Sequence, residues 1–184
     1  MRRPRRRRTE GTSRLFVALV LPAEVEAHLD DAVDVSRLAT PDLRWVPSSR
    51  WHITVEFLGE CGRHEADRQL TRWTERAARS EPLDLAVTGA GAFPQAWRAR
   101  VFWAGVRTDP HAWRRLAGEV QQPHVTLART REAQDLATLV EAMSTYEGPS
   151  WRATEVAFMQ SHLRASGERG PRYEPLEYLP LAGS

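Results

Sequence analysis

The sequence predicts a two-lobed α+β domain. Three observations predict this fold. Apolar residues make up 41% of the 184 residues, which is enough for the core of one domain. Short β-branched segments alternate with segments of helical periodicity. The order strand, helix, His-x-Thr strand, helix, strand occurs twice, which indicates a pseudo-symmetric domain built by duplication.

The first half begins with a buried strand and ends with a half-buried one. The segment RLFVALVL is short, β-branched and aromatic, and Pro22 ends it and suits the first turn of the following helix. Gly59 is expected to end the second strand. The predicted elements are a strand at 14–21, a helix at 23–38, a loop at 40–50, a strand at 51–58, a helix at 64–79, a strand at 83–88, and a turn marked by Gly89, Gly91 and Pro94.

The second half repeats this order with a shorter segment before its His-x-Thr strand. Apolar residues at helical spacing predict its last helix, namely Leu136, Leu139, Val140 and Met143. The predicted elements are a strand at 100–106, a helix at 110–120, a strand at 124–128, a helix at 131–145, strands at 151–159 and 172–179, and a turn or loop at 167–171.

Composition excludes several classes of protein. The longest apolar run, at 15–23, has nine residues and is too short to cross a bilayer. Cys61 is the only cysteine, which excludes an internal disulfide framework and a zinc site built from thiolates. We expect a cytoplasmic protein with no membrane partner, and we expect it to be monomeric.

Residues 1–13 form an arginine-rich tail. They hold six arginines and one glutamate, a net charge of +5, so the rest of the chain sums to −3. A run of like charges buries nothing, and we expect a disordered tail followed by a single domain at 14–184. The tail is either a solvated extension or an arm that contacts RNA phosphates. Pro22, Glu24 and Glu26 disfavour a secretory signal.

Two His-x-Thr motifs carry most of the information about function. Side chains alternate between the faces of a strand, so His52 and Thr54 share one face, as do His124 and Thr126. The residues at the alternate positions are apolar and are expected to face a core: Ile53, Val55, Val125 and Leu127. If a pseudo-twofold axis relates the two halves, both motifs converge on one cleft.

Two histidines and two threonines in one cleft suit chemistry at a phosphodiester. Displacement at phosphorus needs a base on the attacking side and an acid on the leaving side, and imidazole performs either role near neutral pH. Threonine hydroxyls donate hydrogen bonds to the non-bridging oxygens. Arg129 would add a fixed positive charge. Strict alternation places Arg129 on the face of the strand opposite to that of His124, so it reaches the cleft only if the strand bends or ends near Ala128.

The same residues carry a resemblance to a known family. Over roughly residues 14–181 the sequence resembles the 2H phosphoesterase superfamily. It is most similar to the bacterial RNA 2′,3′-cyclic phosphodiesterase branch, often named 2′-5′ RNA ligase. The segments that carry the resemblance are RLFVALVLP, WHITVEFLGE, PHVTLAR and GPRYEPL.

This resemblance implies a fold, a reaction and a set of roles. It implies a bilobal α+β fold in which two antiparallel sheets line a central cleft and the helices lie outside. It also implies the metal-independent, cofactor-free opening of a 2′,3′-cyclic phosphate to a 2′-phosphate. His52 would donate a proton to the leaving 3′-oxygen, and His124 would accept a proton from water. Thr54, Thr126 and Arg129 would bind the phosphate. The partner would be RNA or a nucleotide with a 2′,3′-cyclic phosphate end, and reversal would give a 2′-5′ RNA ligase activity.

Two departures from the family pattern leave other functions open. Alternation of side chains along the strand places Glu56 on the same face as His52 and Thr54. A carboxylate there would raise the pKa of a nearby imidazole or repel an anionic substrate. The stretch before Gln122 is shorter than in such proteins. The alternatives are a catalytically impaired RNA-binding module of the same fold and a 2H esterase for another small cyclic or 2′-5′-linked nucleotide. A metal held by the two histidines would have only Glu56 as a third ligand.

Overall fold

The computed structural model describes residues 11–119, 122–162 and 170–183, and within them strands outnumber helices. The strands are β1 (Ser13–Val20), β2 (Arg44–Trp45), β3 (His52–Cys61), β4 (Leu83–Phe93), β5 (Ala99–Arg107), β6 (His124–Gln134), β7 (Glu147–Ala153), β8 (Glu155–His162) and β9 (Arg172–Pro180). The helices are α1 (Ala23–Ala39), α2 (Arg63–Ala78), α3 (Pro110–Ala117) and α4 (Ala137–Ala142). Short 3-10 turns cover Ser48–Arg50 and Ala96–Arg98.

The strands form one curled antiparallel sheet with two lobes, which confirms the predicted α+β fold. The order is β7-β4-β5-β6-β3-β1-β8-β9, with the short β2 paired to β6. We call β3-β1-β8-β9 the first lobe and β7-β4-β5-β6 the second lobe. The lobes meet where Ile53 of β3 pairs with Val125 of β6. This contact, which we call the seam, joins the central residues of the two His-x-Thr motifs.

The sheet order reveals an exchange between the two halves of the sequence. Strand β4 belongs to the first half of the chain but pairs with β5 in the second lobe. Strand β8 belongs to the second half but pairs with β1 in the first lobe. Each lobe therefore contains strands from both halves, and the order of strands outward from the seam is equivalent on the two sides.

The core lies on one face of this sheet, beneath the helices. On β3, Ile53 and Val55 are buried, as the alternation of the strand requires. Helix α1 buries Val25, Leu29 and Val33, which recur at helical spacing along one side. Burial of these apolar residues is the main free-energy term that holds the helices against the sheet.

Three predicted elements differ from the structure because strand pairing overrides local sequence signals. The strand at 51–58 continues to Cys61, passing through Gly59 at φ +76°, a conformation that glycine adopts without strain. The strand at 124–128 continues to Gln134, which pairs with Ala99, so α4 is much shorter than the predicted helix at 131–145. The segment at 151–159 belongs to two strands, which are separated at Thr154.

Smaller differences concern the ends of elements and the tail. Gly89 and Gly91 lie inside β4 instead of in a turn. Helix α3 ends at Ala117, since Gly118 at φ +77° terminates it. Of the predicted tail, residues 1–10 lie outside the described residues, and β1 begins at Ser13. Most of the predicted loop at 167–171 also lies outside them.

None of the described helices is long and apolar enough to span a membrane.

Candidate active site

The two His-x-Thr motifs lie in one cleft of about 730 Å³ at the seam between the lobes. Its lining includes His52 and Thr54 from the first lobe and His124, Thr126 and Arg129 from the second. Two further arginines, Arg14 and Arg50, line it as well. Among the described residues that line the cleft there is no aspartate or glutamate. The cleft is therefore suited to an anion.

Both imidazoles are held by the same hydrogen bond. Nδ1 of His52 donates to the backbone carbonyl of Arg50, and Nδ1 of His124 donates to that of Gln122, each at 2.9 Å. A carbonyl oxygen only accepts, so the hydrogen-bond pattern assigns the proton to Nδ1 in both rings. In a neutral ring the lone pair is therefore on Nε2, which is the nitrogen left for a ligand.

Each imidazole is also packed between two aromatic rings. The His52 ring lies 5.1 Å from the centroids of both Phe16 and Tyr173. The His124 ring lies 5.1 Å from Phe93 and 5.9 Å from Trp103. Phe16 and Trp103 come from the strands that pair with β3 and β6, whereas Tyr173 and Phe93 come from strands farther out in the sheet. Together these rings restrict the orientation of the imidazoles.

The surroundings lower the pKa of both histidines below the ordinary value of 6.5. For His52, burial is the main cause, and the nearby His124 and Arg129 lower the pKa further. For His124, burial is again the main cause and Arg129 adds to it. The hydrogen bonds to Arg50 and Gln122 act in the opposite direction.

A β-bulge brings Arg129 into the cleft. Thr126 pairs with Trp103 and Ala128 pairs with Phe102, so Leu127 is an extra residue without a partner. Leu127 and Ala128 are consequently both buried, and the alternation resumes one residue later. Arg129 thus lies on the same face as His124. The bulge provides the irregularity in the strand that this position requires.

A matching bulge moves Glu56 away from the cleft, so the expectation that it lies on the catalytic face is wrong. Thr54 pairs with Ala18 and Glu56 pairs with Val17, which leaves Val55 as the extra residue. Glu56 instead forms an ion pair of 2.7 Å with Arg72 of α2.

Phe57 takes the place on β3 that Arg129 has on β6, five residues after the histidine of its motif. Its side chain lines the cleft and is 66% exposed. Sequence reasoning missed this residue because it applied strict alternation. Aligning the two motifs position by position would have matched Phe57 with Arg129.

Arg50 is a second residue that sequence reasoning missed. Its carbonyl holds His52, and its guanidinium donates to the carbonyl of Pro171 at 3.2 Å while lining the cleft. Gly170 at φ +106° makes room for it, because a Cβ there would overlap the guanidinium. Within the described part of the chain no ion pair involves Arg50.

The described residues offer no ready metal site. No group of three or more histidine, cysteine, aspartate or glutamate side chains lies close enough among them to hold a metal ion. Since Glu56 faces α2, the third ligand considered from the sequence does not lie at the histidines.

Comparisons with known proteins identify the family. The family model described as LigT-like phosphoesterase matches residues 19–103. The RNA 2′,3′-cyclic phosphodiesterase of Aeropyrum pernix is 30% identical over 77% of this chain and 88% of its own length. That of Methanothermobacter thermautotrophicus is 27% identical over 91% of this chain and 98% of its own length. The crystal structure of Escherichia coli LigT complexed with 3′-AMP matches with a TM-score of 0.70 and 28% identity, covering 93% of this chain and 98% of that one.

These matches agree with the resemblance found in the sequence and with the predicted class of enzyme, a phosphoesterase and thus a hydrolase. The alignments reach both lobes, because they extend over most of the chain. The protein therefore belongs to the LigT-like phosphoesterase family.

Proposed function

We propose that the protein hydrolyses the terminal 2′,3′-cyclic phosphate of RNA to a 2′-phosphomonoester by acid–base catalysis between two histidines, without a metal ion. One observation carries this proposal. Two imidazoles from opposite lobes flank the seam, carry the same Nδ1 hydrogen bond, and share a cleft that is also lined by three arginines and two threonines.

The reaction needs one neutral and one protonated imidazole. Nε2 of neutral His124 accepts a proton from water, and the water oxygen forms a bond to phosphorus. The bond between phosphorus and the 3′-oxygen breaks, and protonated His52 donates its Nε2 proton to that oxygen. The 2′-ester bond is retained, so the product is a 2′-phosphate. The family resemblance assigns the direction, with His52 as the acid and His124 as the base.

The remaining predicted residues would stabilise the charge on the phosphate. Thr54 and Thr126 each lie two residues after a histidine and on the same side of the strand, so their hydroxyls can donate to the non-bridging oxygens. The Arg129 guanidinium provides a fixed positive charge.

The named relatives support RNA or a nucleotide with a 2′,3′-cyclic phosphate end as the substrate. Two of them are named RNA 2′,3′-cyclic phosphodiesterase, and a related structure was solved with 3′-AMP. The exposed ring of Phe57 offers a surface on which a base can stack. If a 5′-hydroxyl replaces water as the nucleophile, the same proton transfers form a 2′-5′ linkage. We expect the enzyme to act as a monomer in the cytoplasm.

The alternative functions have unequal support. A catalytically impaired RNA-binding module was suggested by Glu56 and by the shorter stretch before Gln122. The pairing of Glu56 with Arg72 removes the first of these two reasons. An esterase for another small cyclic or 2′-5′-linked nucleotide would use the same cleft and the same proton transfers, so only a comparison of substrates distinguishes it.

The direct test is hydrolysis of an RNA that ends in a 2′,3′-cyclic phosphate, with a chelator in excess. The proposal predicts full activity and a 2′-phosphate product. A 3′-phosphate product would reverse the assigned leaving group. Activity that is lost with chelator and restored by zinc would contradict the metal-independent mechanism. Faster turnover of a 2′-5′-linked dinucleotide than of the cyclic end would favour the alternative esterase.

A further inference from the structure

The cleft extends well beyond the histidines, along β1. Val20 pairs with His52 at one end of this strand, and Arg14 lies six residues earlier at the other end. At the rise of a β-strand, these two positions are about 20 Å apart. Arg14 nevertheless lines the same cleft as His52. A single nucleotide bound at the histidines would not span this distance.

Alternation along β1 places Arg14 on the face that borders the cleft. Phe16 and Ala18 share that face and pack with Met159 and Tyr173 in a cluster separate from the main core, on the side of the sheet that carries His52. Ser161 of β8, which pairs with Arg14, also lines the cleft.

The Arg14 guanidinium is available to an anion. Its residue is exposed, and no ion pair is formed by it within the described ranges. The carboxylate nearest in the pairing, Glu60, accepts a hydrogen bond of 2.7 Å from the Thr12 hydroxyl and does not line the cleft. A positive group thus stands at the far end of a cleft whose described lining carries no negative group.

The described residues leave the surface between the two ends open. None of their atoms lies within 4 Å of the position of a Cβ on Gly59, and the neighbouring Phe57 presents its ring to the cleft. We refer to this surface, from His52 through Phe57 and Gly59 to Arg14, as the β1 track. An extended single strand can lie on it with its phosphates at the two positive ends and a base on the aromatic ring.

We propose that the β1 track binds the nucleotides upstream of the cyclic phosphate, and that Arg14 contacts one of their phosphates. The preferred substrate is then a single-stranded RNA end of several nucleotides rather than a cyclic mononucleotide. This inference rests on the proposed function, because the histidines fix where the 3′ end lies. It also assigns a direction to the bound RNA, whose 5′ side runs along β1 towards Ser13.

The test uses Arg14→Gln in the full chain. The matched control is Arg152→Gln, which removes an arginine from the edge strand β7, remote from the cleft and paired with Asp84. Substrates are RNAs of one to four nucleotides that end in a 2′,3′-cyclic phosphate. We expect kcat/KM of the wild type to rise with length. Arg14→Gln should lower it about tenfold for the longest RNA, the effect of one charge-assisted contact, and much less for the mononucleotide.

A binding measurement separates this inference from the proposed function. Fluorescence anisotropy of a labelled tetranucleotide with a terminal 2′-phosphate gives the dissociation constant at several salt concentrations. Arg14→Gln should reduce the slope of log affinity against log salt by about 0.7, the value for one phosphate contact with a single strand. The control should retain the wild-type slope.

The outcomes distinguish the two claims. An equal loss of kcat/KM at every length, or an unchanged slope for Arg14→Gln, would overturn the β1 track. A wild type that hydrolyses none of the RNAs would overturn the proposed function, while the slope would still decide whether Arg14 binds phosphate.

Discussion

At the scale of single residues, the feature that matters most is the identical hydrogen bond made by His52 and His124. A backbone carbonyl accepts from Nδ1 in each ring, so both histidines offer Nε2 to the cleft, and the neutral form of each has a defined tautomer. Arg50 and Gln122 each lie two residues before the histidine that begins β3 or β6, so the backbone that enters each strand sets the orientation of the ring.

Replacing either histidine should abolish most of the activity. We expect His52→Ala and His124→Ala each to lower kcat/KM by about 10²-fold or more, because each removes one proton transfer. Circular dichroism and thermal unfolding should show folded proteins. The matched control is His64→Ala, since His64 is exposed in the first turn of α2. Wild-type activity in either cleft variant would exclude a role for that histidine.

The lowered pKa values of both histidines predict an acidic pH profile for the free enzyme. A lowered pKa means that the ring loses its proton at a lower pH, and the reaction needs one ring protonated and one neutral. We expect kcat/KM to peak below pH 6.5 and to fall as the pH rises further. A bound anionic phosphate raises both pKa values, so the kcat optimum should lie at higher pH. Initial rates from pH 4 to 9 test this, and a kcat/KM that climbs to a plateau above pH 8 would contradict it.

At the scale of elements, the two β-bulges decide which side chains reach the cleft. Val55 and Leu127 occupy equivalent positions, one residue after the threonine of each motif. Each bulge reverses the alternation beyond it, and in doing so brings Arg129 and Phe57 to the cleft and turns Glu56 to α2. The bulges thus give the two lobes unlike contacts at matching positions, a cation on one side and an aromatic ring on the other.

The orientation of Glu56 can be tested by removing its charge. We expect Glu56→Gln to leave kcat/KM and the pH optimum unchanged, because the side chain faces Arg72 on α2. The ion pair is more than a third exposed, so its loss should cost about 0–1 kcal/mol in the free energy of unfolding. Thr54→Ala, two residues earlier on the same strand, should lower kcat/KM. A marked rise in activity or an altered pH optimum for Glu56→Gln would place the carboxylate in the cleft.

At the scale of the whole molecule, the fold builds one site from two lobes that meet at a short seam. The only described pairing between β3 and β6 is that of Ile53 with Val125. The residues on either side of it diverge, and the cleft opens there. Because β4 and β8 each pair in the lobe opposite to their own half of the sequence, the lobes are tied together by more than the seam.

Much of this arrangement could be predicted from the sequence, since it depends on local alternation. In the motif from His52 to Val55, the alternation of polar and apolar residues indicates which side chains share a face of the strand. Features that depend on a partner strand could not be predicted in this way. Leu127 is an extra residue only with respect to its partner strand β5. The continuation of β6 to Gln134 likewise depends on the pairing of Gln134 with Ala99. The exchange of β4 and β8 between lobes likewise leaves no trace in periodicity.

If both imidazoles act on one phosphorus atom, a crystal structure with adenosine 2′-phosphate should show them at the same phosphate. We expect a single phosphate in the cleft, with Nε2 of His52 and Nε2 of His124 each about 2.6–3.2 Å from one of its oxygens. A phosphate that contacts only one of the two rings, or that binds outside the cleft, would exclude joint action of the two histidines.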